Sequence, residues 1–237
     1  MLEVMEHEAS CFITLTYNDE HLPNPPEISK RELQLFLKRL RKAIYPRSFR
    51  YYCVGEYGDK SHRPHYHGIL FGIGPTEEEV IGKCWGKGFV QVGTAEVDSA
   101  RYVAGYVLKK MTKSGDTRLM GRPPEFAIMS RKPGIGIGCI SRFAAAYDSS
   151  SGKAALLAQG WSTSEVRIGG SRYPLGYYLK GKLEKTLGFS EMQKRQHTTQ
   201  VWEERSREDR HKSRAERMRE YWAKVNQQKK IRKERTL

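Results

Sequence analysis

Apolar and polar positions alternate along the first 140 residues in two periods, one of about two and one of about 3.6, and the switches between them mark out a series of elements. "CFITLTY" (11–17) is β-branched and aromatic and ends at the turn-forming "NDEHLPNPP", so it predicts a strand. In "SKRELQLFLKRLRKAI", Leu33, Phe36, Leu37 and Leu40 fall at helical spacing with basic residues on the other side. Ser29 with Glu32 three residues later reads as a capping box, and the segment predicts an amphipathic helix lying on a sheet. "FRYYCVGEYG" and "PHYHGILFG" predict a hairpin joined by the polar "DKSHR". "TEEEVIGKCW" predicts a short helix, "GFVQVG" a fourth strand, and "SARYVAGYVLKKM" a helix opened by Asp98 or Ser99. The predicted order is β-α-β-β-α-β-α.

Beyond that the pattern weakens. Thr112 to Gly138, rich in glycine and proline and containing "MSRKPGIG", reads as a long ordered loop. "CISRFAAAY" reads as a helix and "EVRIGGSRYPL" as a small hairpin turning at Gly169 and Gly170. From about Ser190 the chain is almost wholly polar and basic, which predicts a helical or disordered tail. The expected division is a core over 10–112, a loop-rich extension over 113–189, and a basic tail over 190–237.

Charge narrows the partners. Lys and Arg outnumber Asp and Glu by 42 to 27, a formal charge of +15, which favours a polyanion such as nucleic acid or an anionic membrane surface. No apolar run approaches the ~20 residues that span a bilayer, and the N-terminus lacks the pattern of a secretion signal. No membrane partner and a cytoplasmic location are therefore expected. Cys11, Cys53, Cys84 and Cys139 are far apart with no C-x-x-C pair, so reduced, mostly buried thiols are expected.

Two clusters carry candidate chemistry. Residues two apart on a strand share a face, so His65 and His67 face together while Tyr66 faces away. In the predicted hairpin Glu56 lies across from this pair, and two imidazoles with one carboxylate suit Mn²⁺, Mg²⁺ or a similar divalent ion. A lone H-x-H is also what two surface histidines on an edge strand look like, with Glu56 paired to a lysine. In the second cluster, Tyr102 and Tyr106 are one helical turn apart with Lys109 on the same side. They read as two nucleophiles beside a cation, or, with Val103 and Val107, as the apolar stripe of the helix.

Together these elements carry a resemblance. A "FITLTY" strand, then Glu and "HYH" on paired strands, then "YVAGYVLKK" on a helix resemble the HUH endonucleases that initiate rolling-circle replication. "CFITLTYNDEHLP", "GEYG…RPHYHGILFG", "YVAGYVLKKM" and "MSRKPGIG" look most like the replication initiators of small single-stranded DNA phages, the microviruses and especially their gokushovirus branch. The likeness covers roughly residues 10–140. Relatives commonly carry a cysteine-rich segment before the first strand and this chain starts almost at it, so the resemblance implies a truncated or mis-assigned N-terminus.

The resemblance implies an α+β fold: an RRM-like or ferredoxin-like antiparallel sheet with flanking helices, a metal site on its open face and a tyrosine helix beside it. It implies Glu56, His65 and His67 as ligands of Mn²⁺ or Mg²⁺, Tyr102 and Tyr106 as nucleophiles with Tyr106 making the first cut, and Lys109 as helper with Lys110 second in line. One tyrosine would cleave the phage origin strand, keep a 5′-phosphotyrosine link and free a 3′-hydroxyl for the host replication machinery; the second would cut again and close the circle. Single-stranded DNA calls for basic side chains among aromatic platforms, and Arg63, Arg101, Arg131 and Lys132, with "FRYYCVGEY", supply them. Tyr51 and Tyr52 also read as core residues, and the "SRKPGIG" loop as purely structural.

Rival readings fare less well. Histidine-triad hydrolases need a third His where this chain has Ile69, and two-histidine phosphoesterases need a second H-x-T or H-x-S. A single-tyrosine HUH transposase would not use the second phenol. An RRM-like nucleic-acid-binding or packaging protein without catalysis leaves Glu56, His65 and His67 unexplained.

Overall fold

A computed structural model describes residues 2–58, 61–96, 100, 103, 105, 115–158, 165–168 and 171–188. The chain divides into two compact units, 1–140 and 141–237.

Seven elements build the first unit: β1 (Ser10–Thr16), α1 (Lys30–Ala43), β2 (Arg50–Tyr57), β3 (Pro64–Phe71), α2 (Glu78–Trp85), β4 (Val90–Thr94) and β5 (Phe126–Met129). The strands form one sheet in the order β4-β1-β3-β2-β5, antiparallel at every pairing, and the fold is α+β as the sequence leads one to expect. Helix α1 begins where its cap predicts: the Ser29 hydroxyl accepts from the Glu32 amide at 3.2 Å. The reciprocal half of the capping box is replaced. The Ser29 amide donates to the Tyr66 hydroxyl at 2.8 Å, and the Glu32 carboxylate pairs with Lys87 at 2.9 Å. Tertiary partners have won over the local one, and they tie α1 to the middle of β3 and to the turn before β4.

Strand alternation gives the sheet two different faces. Cys11, Ile13, Leu15, Tyr66 and Leu70 point to one side and meet Leu33, Phe36, Leu37 and Leu40 of α1 and Ile81 and Trp85 of α2 in the main core. The second face carries a smaller apolar cluster at one end, where Val54, Ile69 and Phe71 pack with Ala95 and Val103. Ala100, Val103 and Gly105 are helical, and the rest of the predicted tyrosine helix lies outside the described residues.

One expectation is corrected here. The stretch 112–138 is not loop throughout: Phe126–Met129 forms β5 and pairs with β2 from Tyr52 to Gly55. The apolar run "FAIM" is only four residues long, and Gly55 makes the pairing possible because a side chain there would meet the Phe126 ring at 2.8 Å. The glycine-rich turn that follows is anchored. Buried Glu3 accepts from the Gly136 amide and pairs with Arg50, whose other nitrogen donates to the Pro133 carbonyl at 2.7 Å.

The "CISRFAAAY" helix is present as α3 (Cys139–Tyr147) and the expected hairpin as β6 (Glu165–Ile168) with β7 (Ser171–Pro174). Two helices that no clear periodicity announces accompany them, α4 (Ser150–Ala158) and α5 (Tyr177–Thr186). The turn at Gly169 and Gly170 and the basic tail lie outside the described residues.

Candidate active site

The open end of the second face is floored by two rows of side chains running across the strands. In one row Thr16 on β1 pairs with His65 on β3, which pairs with Glu56 on β2. In the next, Gln91 on β4, Thr14 on β1 and His67 on β3 are in register. Six polar residues therefore share one face, because along each strand they sit at even offsets and across strands they stand in register. β3 is the central strand of five, so the histidines do not lie on an edge, and Glu56 meets an imidazole rather than a lysine.

His67 is the most constrained of the group. Its Nδ1 lies 3.0 Å from the Thr14 hydroxyl and its Nε2 3.1 Å from Glu56 Oε1, while the Phe12 ring stacks on it at 6.1 Å. Glu56 and His67 are 5% and 7% exposed, the deepest polar side chains of the cleft. His65 is half-buried at the rim, its ring stacked 6.3 Å from that of His67. It lies against Gly58, where an added Cβ would come within 2.9 Å of His65 Nε2. Above these residues opens a cleft of about 410 Å³ lined also by Phe89, Val90 and Gln91.

Two imidazoles and a carboxylate are a donor set for a divalent ion of intermediate hardness, and a hydroxyl behind a ligating imidazole is a device that orients its ring. The set is not closed up: among the described residues no three His, Cys, Asp or Glu side chains converge into a metal-binding group. Glu56 and His67 already touch, and His65 would complete the set by turning inward from the rim, where Gly58 leaves its ring room. The residues present fit such an ion on that condition.

Other predicted site residues fare differently. Arg63 stands at the foot of β3 but is engaged, with Asp19 at 2.7 Å and the Tyr17 carbonyl at 3.0 Å. Arg131 and Lys132 are exposed at the head of the anchored glycine-rich turn. Tyr51 packs against the main core and Tyr52 against the smaller one, each half-buried. Tyr102, Tyr106, Arg101, Lys109 and Lys110 lie outside the described residues. Their neighbour Val103 is fully buried on the same sheet face as the histidines. Tyr17 and Tyr66 are poor nucleophiles: burial pushes both phenols above the ordinary value, and they bond each other at 3.1 Å.

Thr14, Phe89 and Gln91 escaped the sequence reading. Thr14 had a signal, since Thr14 and Thr16 alternate with Ile13 and Leu15 in a strand, which marks a polar face opposite a core face.

This arrangement, a central-strand histidine pair facing a carboxylate on an antiparallel sheet, falls in a class that the comparisons define. Residues 10–114 match the replication-associated protein ORF2 family, a segment holding β1 to β4 and every residue of the cleft. The chain is 33% identical over 129 residues to the replication-associated protein VP4 of Bdellovibrio phage phiMH2K, covering 45% of this chain and 41% of that protein. It is 33% identical over 137 residues to the replication-associated protein ORF4 of Chlamydia phage 1, covering 48% and 34%, and 33% identical over 149 residues to the replication-associated protein ORF2 of Spiroplasma virus 4, covering 53% and 45%. The match thus spans less than half the length of each of these relatives. Among the described residues no helix is long and apolar enough to cross a membrane.

Proposed function

We propose that this chain is a replication-initiation endonuclease that nicks single-stranded origin DNA with a divalent metal and a tyrosine nucleophile. The observation that supports it best is that Glu56, His65 and His67 share one face at the floor of one cleft, with the His67 ring fixed by Thr14. Glu56, His65 and His67 would hold Mn²⁺ or Mg²⁺. When bound, such an ion polarises a phosphoryl oxygen and offsets the charge that builds up during cleavage. The remaining work falls to side chains. The hydroxyl of Tyr102 or Tyr106 loses its proton and attacks phosphorus; the new oxygen–phosphorus bond forms as the bond to the 3′-oxygen breaks, and that oxygen leaves as a 3′-hydroxyl for the host polymerase. Lys109 lowers the cost of the phenolate near neutral pH. A second tyrosine one helical turn away permits a second cut while the first DNA end stays covalently held.

The competing reading, a nucleic-acid-binding protein without catalysis, draws support from the incomplete convergence of His65 on its partners. One experiment separates the two. The protein is incubated with single-stranded phage origin DNA and Mn²⁺, and covalent adducts are mapped by mass spectrometry. A phosphodiester on Tyr102 or Tyr106 that disappears in the Tyr102→Phe, Tyr106→Phe double variant is the expected result. An adduct on another residue, or none with the parent chain, overturns the assignment.

A further inference from the structure

Phe89 is 71% exposed, yet it lines the cleft beside Thr16, at the end of the row that continues to His65 and Glu56. A phenyl group in water forgoes most of the stabilisation that burial would bring, so a rigidly held exposed ring at a polar site calls for an occupant. Its backbone is held. The Phe89 carbonyl accepts from the Thr16 amide at 3.0 Å and from the Thr16 hydroxyl at 3.4 Å, and the Lys87 carbonyl accepts from the Asn18 amide at 3.0 Å. Between them Gly88, at a φ of 146°, lets the chain lie so close to β1 that a Cβ there would come within 2.3 Å of the Asn18 nitrogen. Only glycine permits that approach. The turn thus sets the ring at a fixed place on the wall of the cleft.

We infer that Phe89 is a stacking platform for one unpaired nucleobase of the DNA strand that enters the cleft. Two strand spacings, about 10 Å, separate its backbone from that of His65, which matches the base of a nucleotide next to one whose phosphate lies over the histidines. A flat apolar ring takes any base, so the platform positions the strand without reading sequence. Gln91, exposed in the same wall, is the polar group nearest to hand for a base edge. β4 is the outermost strand of the sheet, so nothing in the sheet order stands between this wall and an incoming strand.

The inference rests on the reading of the cleft as a DNA site but not on nicking, and it is tested without metal. Binding of oligo(dT) and of an all-abasic oligonucleotide of equal length is measured in chelator for the parent chain, Phe89→Ala and Phe89→Trp. Phe89→Ala should weaken oligo(dT) binding roughly 5- to 150-fold while Phe89→Trp retains it, and the abasic strand should bind all three alike. A 2-aminopurine in the strand should lose its quenching in Phe89→Ala alone. Equal oligo(dT) binding by the parent and Phe89→Ala overturns the platform, as does an equal loss on the abasic strand, which would mean a disturbed turn. Should the platform pass while no tyrosine adduct forms, the nicking reading fails and the platform stands.

Discussion

The two sides of β3 carry side chains from the same eight residues and do opposite things with them. On the α1 side, Tyr66 is almost fully buried, touches Trp85 and Phe126, and shares hydrogen bonds with Tyr17 and Ser29. On the other side, His65 and His67 stand over a cleft with Thr14, Glu56 and Phe12 as close company. The first side is redundant: many contacts hold each residue, and losing one costs stability in proportion to its volume. The second is not, because each side chain there has a distinct chemical part. Substitutions on the two sides should therefore separate stability from activity.

The largest contrast is between Leu15→Ala and His65→Ala. Leu15 is wholly buried under α1, and its truncation should cost about 2–5 kcal/mol, read by chemical denaturation, with nicking normal in the folded fraction. His65→Ala at the half-buried rim should change stability by less than about 1 kcal/mol and abolish metal-dependent nicking. His67→Ala should also abolish nicking, with a further stability cost of about 1–3 kcal/mol because it deprives buried Glu56 of its 3.1 Å partner. Native cleavage rates in both histidine variants would erase the distinction between the two sides.

Gly88→Ala should come next. The Cβ would overlap backbone atoms of Asn18 and Thr16, not a flexible side chain, so the turn must move away from β1 and give up the bonds at Lys87 and Phe89. A loss of about 2–3 kcal/mol is expected, together with weaker DNA binding. Hydrogen exchange at the Thr16 and Asn18 amides reports it directly: protection unchanged from the parent would show that the close approach does not matter.

Thr14→Val is a finer test of the cleft side. The change preserves shape and removes the hydroxyl at 3.0 Å from His67 Nδ1, so the ring keeps its packing and loses its orienting bond. Mn²⁺ affinity should fall about 10- to 100-fold with little change in stability. Calorimetric titration of Mn²⁺ checks it, and equal affinity in Thr14→Val would show that Thr14 does not orient the ligand.

How much of this was legible beforehand follows from the same physics. The cap at Ser29, the α1 stripe, the hairpin and the Glu56–His65 register are all short-range consequences of spacing, and the sequence displays them directly. β5 was not legible because four apolar residues among prolines and glycines carry no period; only the vacant edge of β2 makes them a strand. Arg63 looked available beside the histidines, but its partners Asp19 and Tyr17 come from a loop more than forty residues away. Phe89 looked like one more apolar residue of a strand. Its exposure depends on its standing one position before Val90, where β4 begins at the sheet margin.

The smallest effect concerns the cysteines of the core side. Burial pushes the Cys11 thiol up from 9.0 to about 12, with the Glu77 carboxylate adding to the shift, and burial also raises Cys53. Both therefore stay protonated well above neutrality and should resist alkylation at pH 8 in the folded chain, whereas an unfolded chain exposes ordinary thiols. The linked effect on stability has a definite sign. Below pH 9 the folded and unfolded states hold the same thiol protons, and nothing changes. Between about 9 and 12 the unfolded chain releases the Cys11 proton while the folded chain keeps it, so stability falls as pH rises through that window. Cys11→Ser removes the titrating thiol and should flatten part of this slope, at a cost from placing a hydroxyl in an apolar site. Iodoacetamide labelling followed by peptide mapping gives the test. Modification of Cys11 in the native chain as fast as in denaturant would mean that the α1 side opens as readily as the cleft side, and the contrast between the two sides of the sheet would then fail at its most buried point.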